Sequence, residues 1–448
     1  MANKKRILLL TNRDSDNTGD QVMEICDIAL ISAVMTNLGL ESEDYEISSR
    51  GAAAFTKVFF HTGDASYLNK ARETLKETDL VIYGGAPLFN YTYQKFYERT
   101  ALFIDICQEL NVPVIISAVG IEYFDETNPK CLRIKNAINQ PVVKMVTTRD
   151  DYESLKKMKE REDLLIAPVA DPAVFSKEVF CDFIAESEDA FVEGSAKEKN
   201  AAQKKRIGLF VLRAHGFKDN GYDFDYKKAV ELWKGVTNAF EKKGYEVSLL
   251  TSGHFGDEAF LDRMIRNHGL DKKKCIFNIN TPEDVVEAVS NFDGVVSCRL
   301  HPSIISYSLG VPTVGLEWNM KVRGFYESIG YENRVIAAKD LSVDVVVDAL
   351  EKAMEEGVKE DLDFRMSVYR TLFESIQNVF GLAGECYDYD RLLQVLEPFA
   401  GTDEEEAQLK LRRKFRRIYE NYNNKYTDAS EFAEFLKPLK WLYQRIKK

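Results

Sequence analysis

"KKRILLLTNR" (Lys4–Arg13) and "KKRIGLFVLR" (Lys204–Arg213) decide the fold. Each joins a basic flank, a short apolar run and a polar end. An unbroken apolar run is the pattern of a strand covered on both faces, as in a parallel sheet. Two such openings in one chain of 448 residues predict two separate α/β domains.

Outward from the first opening, "RDSDNTGD" leads into a helical pattern from about Asp20 to Asn37. Val22, Cys26, Ala29, Leu30 and Ala33 share its apolar face. The runs "DLVIYGG", "PVIISAVG" and "VVKMVTTRD" then alternate with helical stretches, which predicts a parallel sheet over 1–177. Residues 178–193 hold six acidic residues and no basic one, so 178–203 reads as a solvated linker. The alternation resumes over 204–361. Residues 362–400 look helical and are expected to cross back to the first domain.

The segment 401–448 differs in charge. It carries twelve Lys/Arg against eight Asp/Glu, while the whole chain has a formal net charge of −12. "QLKLRRKFRRIYE" mixes bases with Leu, Phe, Ile and Tyr, which predicts a basic amphipathic helical tail. It is expected either to touch an anionic membrane or to dock on the protein. The acidic balance of the chain argues against nucleic acid as a partner. No apolar run reaches the ~20 residues of a membrane span. The opening residues lack the long apolar core of a signal peptide. Seven scattered cysteines, none in CxxC spacing, fit reduced thiols in a cytoplasmic protein and leave no metal-ligand set.

The chemistry concentrates in "SCRLHPSIISYSLGVPTVGLEWNMKVRGF", Ser297–Phe325. The strand "GVVS" ends at a turn holding Arg299 and His301, and a helix starts near Pro302. A helix start offers free N–H groups. Arginine adds a planar fork for carboxylate or phosphate, and histidine a group that moves protons near neutral pH. Lys321 and Arg323 follow one strand later. Adjacent strand-to-helix loops converge on one crevice, so these residues predict a site for a small anion that reacts by proton transfer. Arg149 in "TTRD", Arg213 in "FVLRAHGF" and His254 with Asp257 in "TSGHFGD" sit at other strand ends. Gly84 and Gly85 in "YGGAPLFN" permit close approach of a ligand. Gly19 and Asp20 in "NTGDQVM" form either a loop for sugar hydroxyls or simply a capped turn.

"NTGDQV", "YGGAPLF", "TTRD", "ADPAVF" and above all the RLH stretch resemble the polysaccharide pyruvyl transferase family, over roughly residues 5 to 335. The resemblance implies two Rossmann-like domains facing across a cleft, as in GT-B glycosyltransferases, here with a helical C-terminal extension. It implies phosphoenolpyruvate as donor and a pyruvyl ketal on a sugar of a cell-surface polysaccharide, or on its lipid-linked precursor, as product. No cofactor and no metal are implied. Arg299, Arg149, Lys321 and Arg213 become the expected donor-binding residues and His301 the catalytic one. Gly19, Asp20, Gly84 and Gly85 become loop or acceptor contacts. Two other readings fit the same residues: a GT-B glycosyltransferase using a nucleotide-sugar, and a non-catalytic binding module of envelope assembly.

Overall fold

The computed structural model describes residues 4–51, 55, 58–91, 96–184 and 204–420. The first half forms a six-stranded sheet. Its strands are β1 (Lys5–Thr11), β2 (Tyr45–Gly51), β3 (Leu80–Gly84), β4 (Val114–Val119), β5 (Val143–Thr148) and β6 (Leu165–Pro168). The second half forms another, from β7 (Arg206–Phe210), β8 (Glu246–Leu250), β9 (Cys275–Ile276), β10 (Gly294–Ser297), β11 (Thr313–Glu317) and β12 (Val335–Ala337). The strand orders are β2-β1-β3-β4-β5-β6 and β12-β11-β10-β7-β8-β9, and each of the paired neighbours is parallel. Both sheets are thus doubly wound. The two openings "RILLL" and "RIGLF" are β1 and β7, and each lies inside its sheet. That is why their side chains from Ile7 and Ile207 onward are apolar and buried on both faces.

Each sheet has one place where the winding changes direction. In the first it lies between β1 and β3, in the second between β7 and β10. Loops diverge there and leave a crevice outside the strand ends, the usual ligand position of such sheets.

The halves are joined by shared packing. One apolar cluster contains Val22 and Val174 from the first half with Ile304 and Tyr307 from the second. Thr18 donates its backbone N–H to Ser252 O at 2.8 Å, and Ser308 Oγ donates to Val174 O at 2.8 Å. The helix Leu362–Phe380 follows the second sheet in sequence but packs on the first half. Tyr369 Oη donates to Asn37 Oδ1 at 2.7 Å, and Ala170 N–H donates to Ser367 Oγ at 2.9 Å.

The acidic stretch is not solvated from its start. Val179 and Phe180 are buried, and Arg365 donates to Glu178 at 2.6 Å. Burying two apolar side chains outweighs the solvation expected from local charge. The rest of the linker, from 185 to 203, lies outside the described residues. Residues 402–448 form a separate compact unit. Within it, 404–420 are helical, and 421–448 lie outside the described residues.

Candidate functional site

The RLH turn does what its local chemistry predicts. β10 ends at Ser297, Arg299 is the N-cap residue and the helix Leu300–Ser308 begins at once. Pro302 sits in the first turn, where its missing N–H costs nothing. His301 is buried there and points at the first half of the chain. Its Nδ1 lies 3.8 Å from Asp20 Oδ1 and its Nε2 lies 4.0 Å from Asp171 Oδ2. Gly19 explains the approach. A Cβ on Gly19 would overlap the His301 side chain, so glycine is the residue that lets the imidazole pass over this helix start.

Two cations join the two carboxylates around His301. Arg149, after β5, is buried and paired with Asp171. Asp171 is held in turn by the Ala173 N–H at 2.9 Å. Asp20 accepts from Asn12 Nδ2 at 2.8 Å. Lys321 enters from the second half, in the first turn of the helix Met320–Ser328, and its Nζ would lie 3.0 Å from a Cβ on Gly120. No hydrogen bond or ion pair to Lys321 Nζ occurs among the described residues, and Asp150, Arg149 and Glu122 are its charged surroundings. His301 Nε2 and Arg149 Nε are buried with no hydrogen-bond partner among the described residues. Burial pushes the His301 pKa down; Asp20 and Asp171 oppose that shift, and Arg149 and Lys321 add to it. Burial likewise lowers the Lys321 pKa. His301 is therefore neutral near pH 7, and an anion among these groups would favour its charged form.

Gly84 and Gly85 close the other side, just after β3. Gly85 adopts φ +42°, and a Cβ there would strike Met23 Sδ. The Asp27 carboxyl packs against Gly84. It is fully buried, and neither oxygen has a hydrogen-bond partner among the described residues. Burial, then Asp171 and Glu24, raise its pKa well above the carboxylate range. Asp27 escaped the sequence reading because it sits one residue from Cys26 on a helix read for its apolar face. A charged residue inside that buried span is the signal that was there to find.

Arg299 and Arg213 do not join His301 through any hydrogen bond or ion pair among the described residues. They share Asp257 instead. Arg213 Nη1 donates to Asp257 Oδ1 at 2.9 Å, and Arg299 Nε donates to Oδ2 at 3.0 Å. His254 caps the helix Phe255–His268 by accepting the Gly256 N–H at 3.1 Å. Burial, with Arg299 adding to it, pushes His254 down to about 4, so it is neutral. Arg323 is not a free cation either. It forms a two-pronged pair with Glu317 at 3.1 and 2.7 Å. Of the other histidines, His61 and His215 are exposed, and His268 bonds Tyr226 Oη at 2.9 Å.

A family model described as polysaccharide pyruvyl transferase matches residues 17–320. No match was found among curated proteins. Among solved structures, the chain is similar to a putative UDP-N-acetylglucosamine 2-epimerase from Listeria monocytogenes. The likeness has 10% identity and a TM-score of 0.53, covering 89% of this chain and all of the other. A second UDP-N-acetylglucosamine 2-epimerase structure is similar at 10% identity and a TM-score of 0.50, covering 90% of this chain and all of the other. At that identity the likeness is one of fold, and the fold is the GT-B arrangement of two facing Rossmann-like domains.

Proposed function

As the chain belongs to the polysaccharide pyruvyl transferase family, we propose that it moves a pyruvyl group from phosphoenolpyruvate to a sugar, as a ketal. The observation that carries this reading is the meeting of three groups at the seam: His301 Nε2 and Arg149 Nε, both buried with no hydrogen-bond partner among the described residues, and the Lys321 charge beside them. Phosphoenolpyruvate brings a carboxylate and a phosphate. Arg149 and Lys321 supply cations for both, and for the phosphate as it leaves.

The reaction balances with the groups present. His301, protonated when the anion binds, gives its proton to the methylene carbon, which becomes a methyl group. A sugar hydroxyl adds to the neighbouring carbon and restores the proton to His301. Phosphate departs, and a second hydroxyl closes the ketal, its proton leaving with the phosphate. Asp20 and Asp171 flank the imidazole, orient it and stabilise its charged form while the proton is in transit. The nucleotide is not needed in this scheme. The acceptor is a polysaccharide or a lipid-linked precursor, met at the cytoplasmic face of the membrane.

Calorimetric titration with phosphoenolpyruvate, with no nucleotide present, tests the donor. Wild-type protein should bind it. Lys321→Ala should weaken binding by about 2–4 kcal/mol, the cost of removing one member of a desolvated charge pair. Failure of the wild type to bind phosphoenolpyruvate, with binding of a nucleotide-sugar instead, would replace this reading by a glycosyltransferase.

A further inference from the structure

A ketal takes two hydroxyls of one sugar, and the chemistry above gives only the first of them a protein partner, His301. A place for the second lies beside Lys321, where β4 ends. Ala118 adopts φ +51°, a left-handed conformation that costs a residue with a side chain, and the pairing of β4 with β5 slips by one residue around it. Beyond this bulge the Gly120 N–H donates to Ala86 O at 3.2 Å, and the Ile121 N–H donates to Asp150 Oδ1 at 2.8 Å. The Asp151 N–H donates to the same oxygen at 2.8 Å. One oxygen of Asp150 is thus pinned by backbone. The other, Oδ2, is buried with no hydrogen-bond partner among the described residues. Lys321 comes to the same spot from the second half. A Cβ on Gly120 would lie 3.0 Å from Lys321 Nζ, 3.2 Å from Asp150 Oδ2 and 3.4 Å from Pro87 Cα. The ammonium and the carboxylate oxygen therefore face one point over Gly120 with no hydrogen bond between them.

What fits there must accept from an ammonium and donate to a carboxylate. The ionised oxygens of a phosphate or a carboxylate have no proton to give and are repelled by Oδ2, and a metal cation is repelled by Lys321. A hydroxyl does both at once, since it carries one O–H donor and two acceptor lone pairs. The missing side chain of Gly120 leaves it room. Lys321 has three N–H donors, enough for this hydroxyl and for the departing phosphate. Glu122 also faces Lys321, and the next residue, Tyr123, is 56% exposed with its ring edge-on to Tyr91 at 6.4 Å between centres. An exposed ring beside a few convergent polar groups is the make-up of a site for a small polar ring such as a sugar.

We propose that Asp150 and Lys321, across Gly120, hold the second hydroxyl of the acceptor sugar, the one that closes the ketal. This rests on the transfer reaction proposed above. His301 serves one hydroxyl and the notch over Gly120 the other, so the sugar is selected by the spacing of two hydroxyls and not by either alone. The proton count of the reaction is unchanged. Asp150 orients the hydroxyl, its O–H bond breaks as its oxygen bonds the former enol carbon, and the proton leaves with the phosphate.

The full chain should be titrated with methyl glucoside, methyl galactoside and methyl mannoside, read by saturation-transfer NMR without the donor so that no reaction intervenes. Phosphoenolpyruvate is titrated separately by calorimetry. At least one sugar should bind in the millimolar range. Asp150→Asn keeps an acceptor for the Ile121 N–H but loses the carboxylate, and Gly120→Ala fills the notch with a methyl group. Each should weaken the sugar about 10- to 100-fold, the range for losing a hydrogen bond to a charged group, and leave phosphoenolpyruvate within about threefold. Of the monodeoxy analogues of the sugar that binds best, one should bind the wild type as weakly as the parent sugar binds Asp150→Asn, and lose nothing further in that variant. Absence of binding by all three sugars at millimolar concentration overturns the proposal, and so does unchanged sugar affinity in either variant. A parallel loss of phosphoenolpyruvate affinity in Asp150→Asn overturns it too, because the residue would then be a support for Lys321 at the donor. Sugar binding that depends on Asp150, in a protein that fails to bind phosphoenolpyruvate, would instead uphold the notch and defeat the donor reading.

Discussion

In the proposed reaction His301 changes charge, and its surroundings set when. In the free protein burial keeps the imidazole neutral, with Asp20 and Asp171 3.8 and 4.0 Å away. Bringing a carboxylate and a phosphate beside it raises its pKa. Donor binding near pH 7.5 should therefore take up protons. Calorimetry in two buffers of different ionisation enthalpy reads this directly, and equal heats in both would mean that His301 does not charge on binding. His301→Ala should keep most of the donor affinity and lose roughly 10²- to 10⁴-fold in turnover, the range for removing a general acid or base. Asp27 poses the opposite case. Its carboxyl is buried without a hydrogen-bond partner among the described residues and its pKa is raised, so the folded state holds a proton that the unfolded chain releases as pH climbs above the ordinary carboxylate value. The sign follows: that proton costs stability progressively as pH rises. Asn cannot ionise in either state. The stability difference between Asp27→Asn and wild type should thus shift in favour of the variant by about 1.4 kcal/mol per pH unit from about pH 4 upward. A difference that is flat with pH would show that Asp27 is ionised in the fold.

The helix starts are the elements that assemble the site. Residue 301 sits in the first turn of Leu300–Ser308, Gly19 in that of Thr18–Asn37 and Lys321 in that of Met320–Ser328. Because Gly19 has no side chain, two of these starts can approach until imidazole meets backbone. Gly19→Ala suits a helix better in isolation, yet it should lower turnover by on the order of 10²-fold, the cost of a displacement near 1 Å at a reacting group. Unchanged turnover in that variant would mean that the imidazole position is not what matters. Here sequence and structure part for a physical reason. The strand-to-helix turn at Arg299 and His301 is local, so apolar run, turn and proline announce it. The reason for Gly19 lies in the other half of the chain, and no local pattern carries it. Likewise Arg299 looked like the partner of His301 because both stand on one turn. Their side chains diverge, since Asp257 on a neighbouring loop takes the guanidinium while the imidazole crosses to Asp171.

At the scale of the molecule, two doubly wound sheets were legible from twin first strands, because an interior parallel strand must be apolar on both faces. The unit after residue 401 obeys a different rule. In its helix over 404–420, Leu411, Phe415, Ile418 and Tyr419 recur at helical spacing on one face, and all four are exposed, Phe415 to 60% and Tyr419 to 68%. Arg412 and Arg416 border that face. Among the described residues no helix is long and apolar enough to cross a membrane. An apolar stripe edged by arginines is suited to lie at an anionic surface, where rings enter the headgroup layer and guanidiniums stay at the phosphates. The full chain should sediment with anionic vesicles at low salt and be released as salt rises, since the charge attraction is screened over about 10 Å at 0.1 M. Phe415→Ser should weaken the association at every salt concentration, because it removes buried apolar area and not charge. Vesicle binding that is equal for the full chain and for a chain ending at residue 400 would assign any membrane contact to the body of the protein and leave the stripe to cover protein instead.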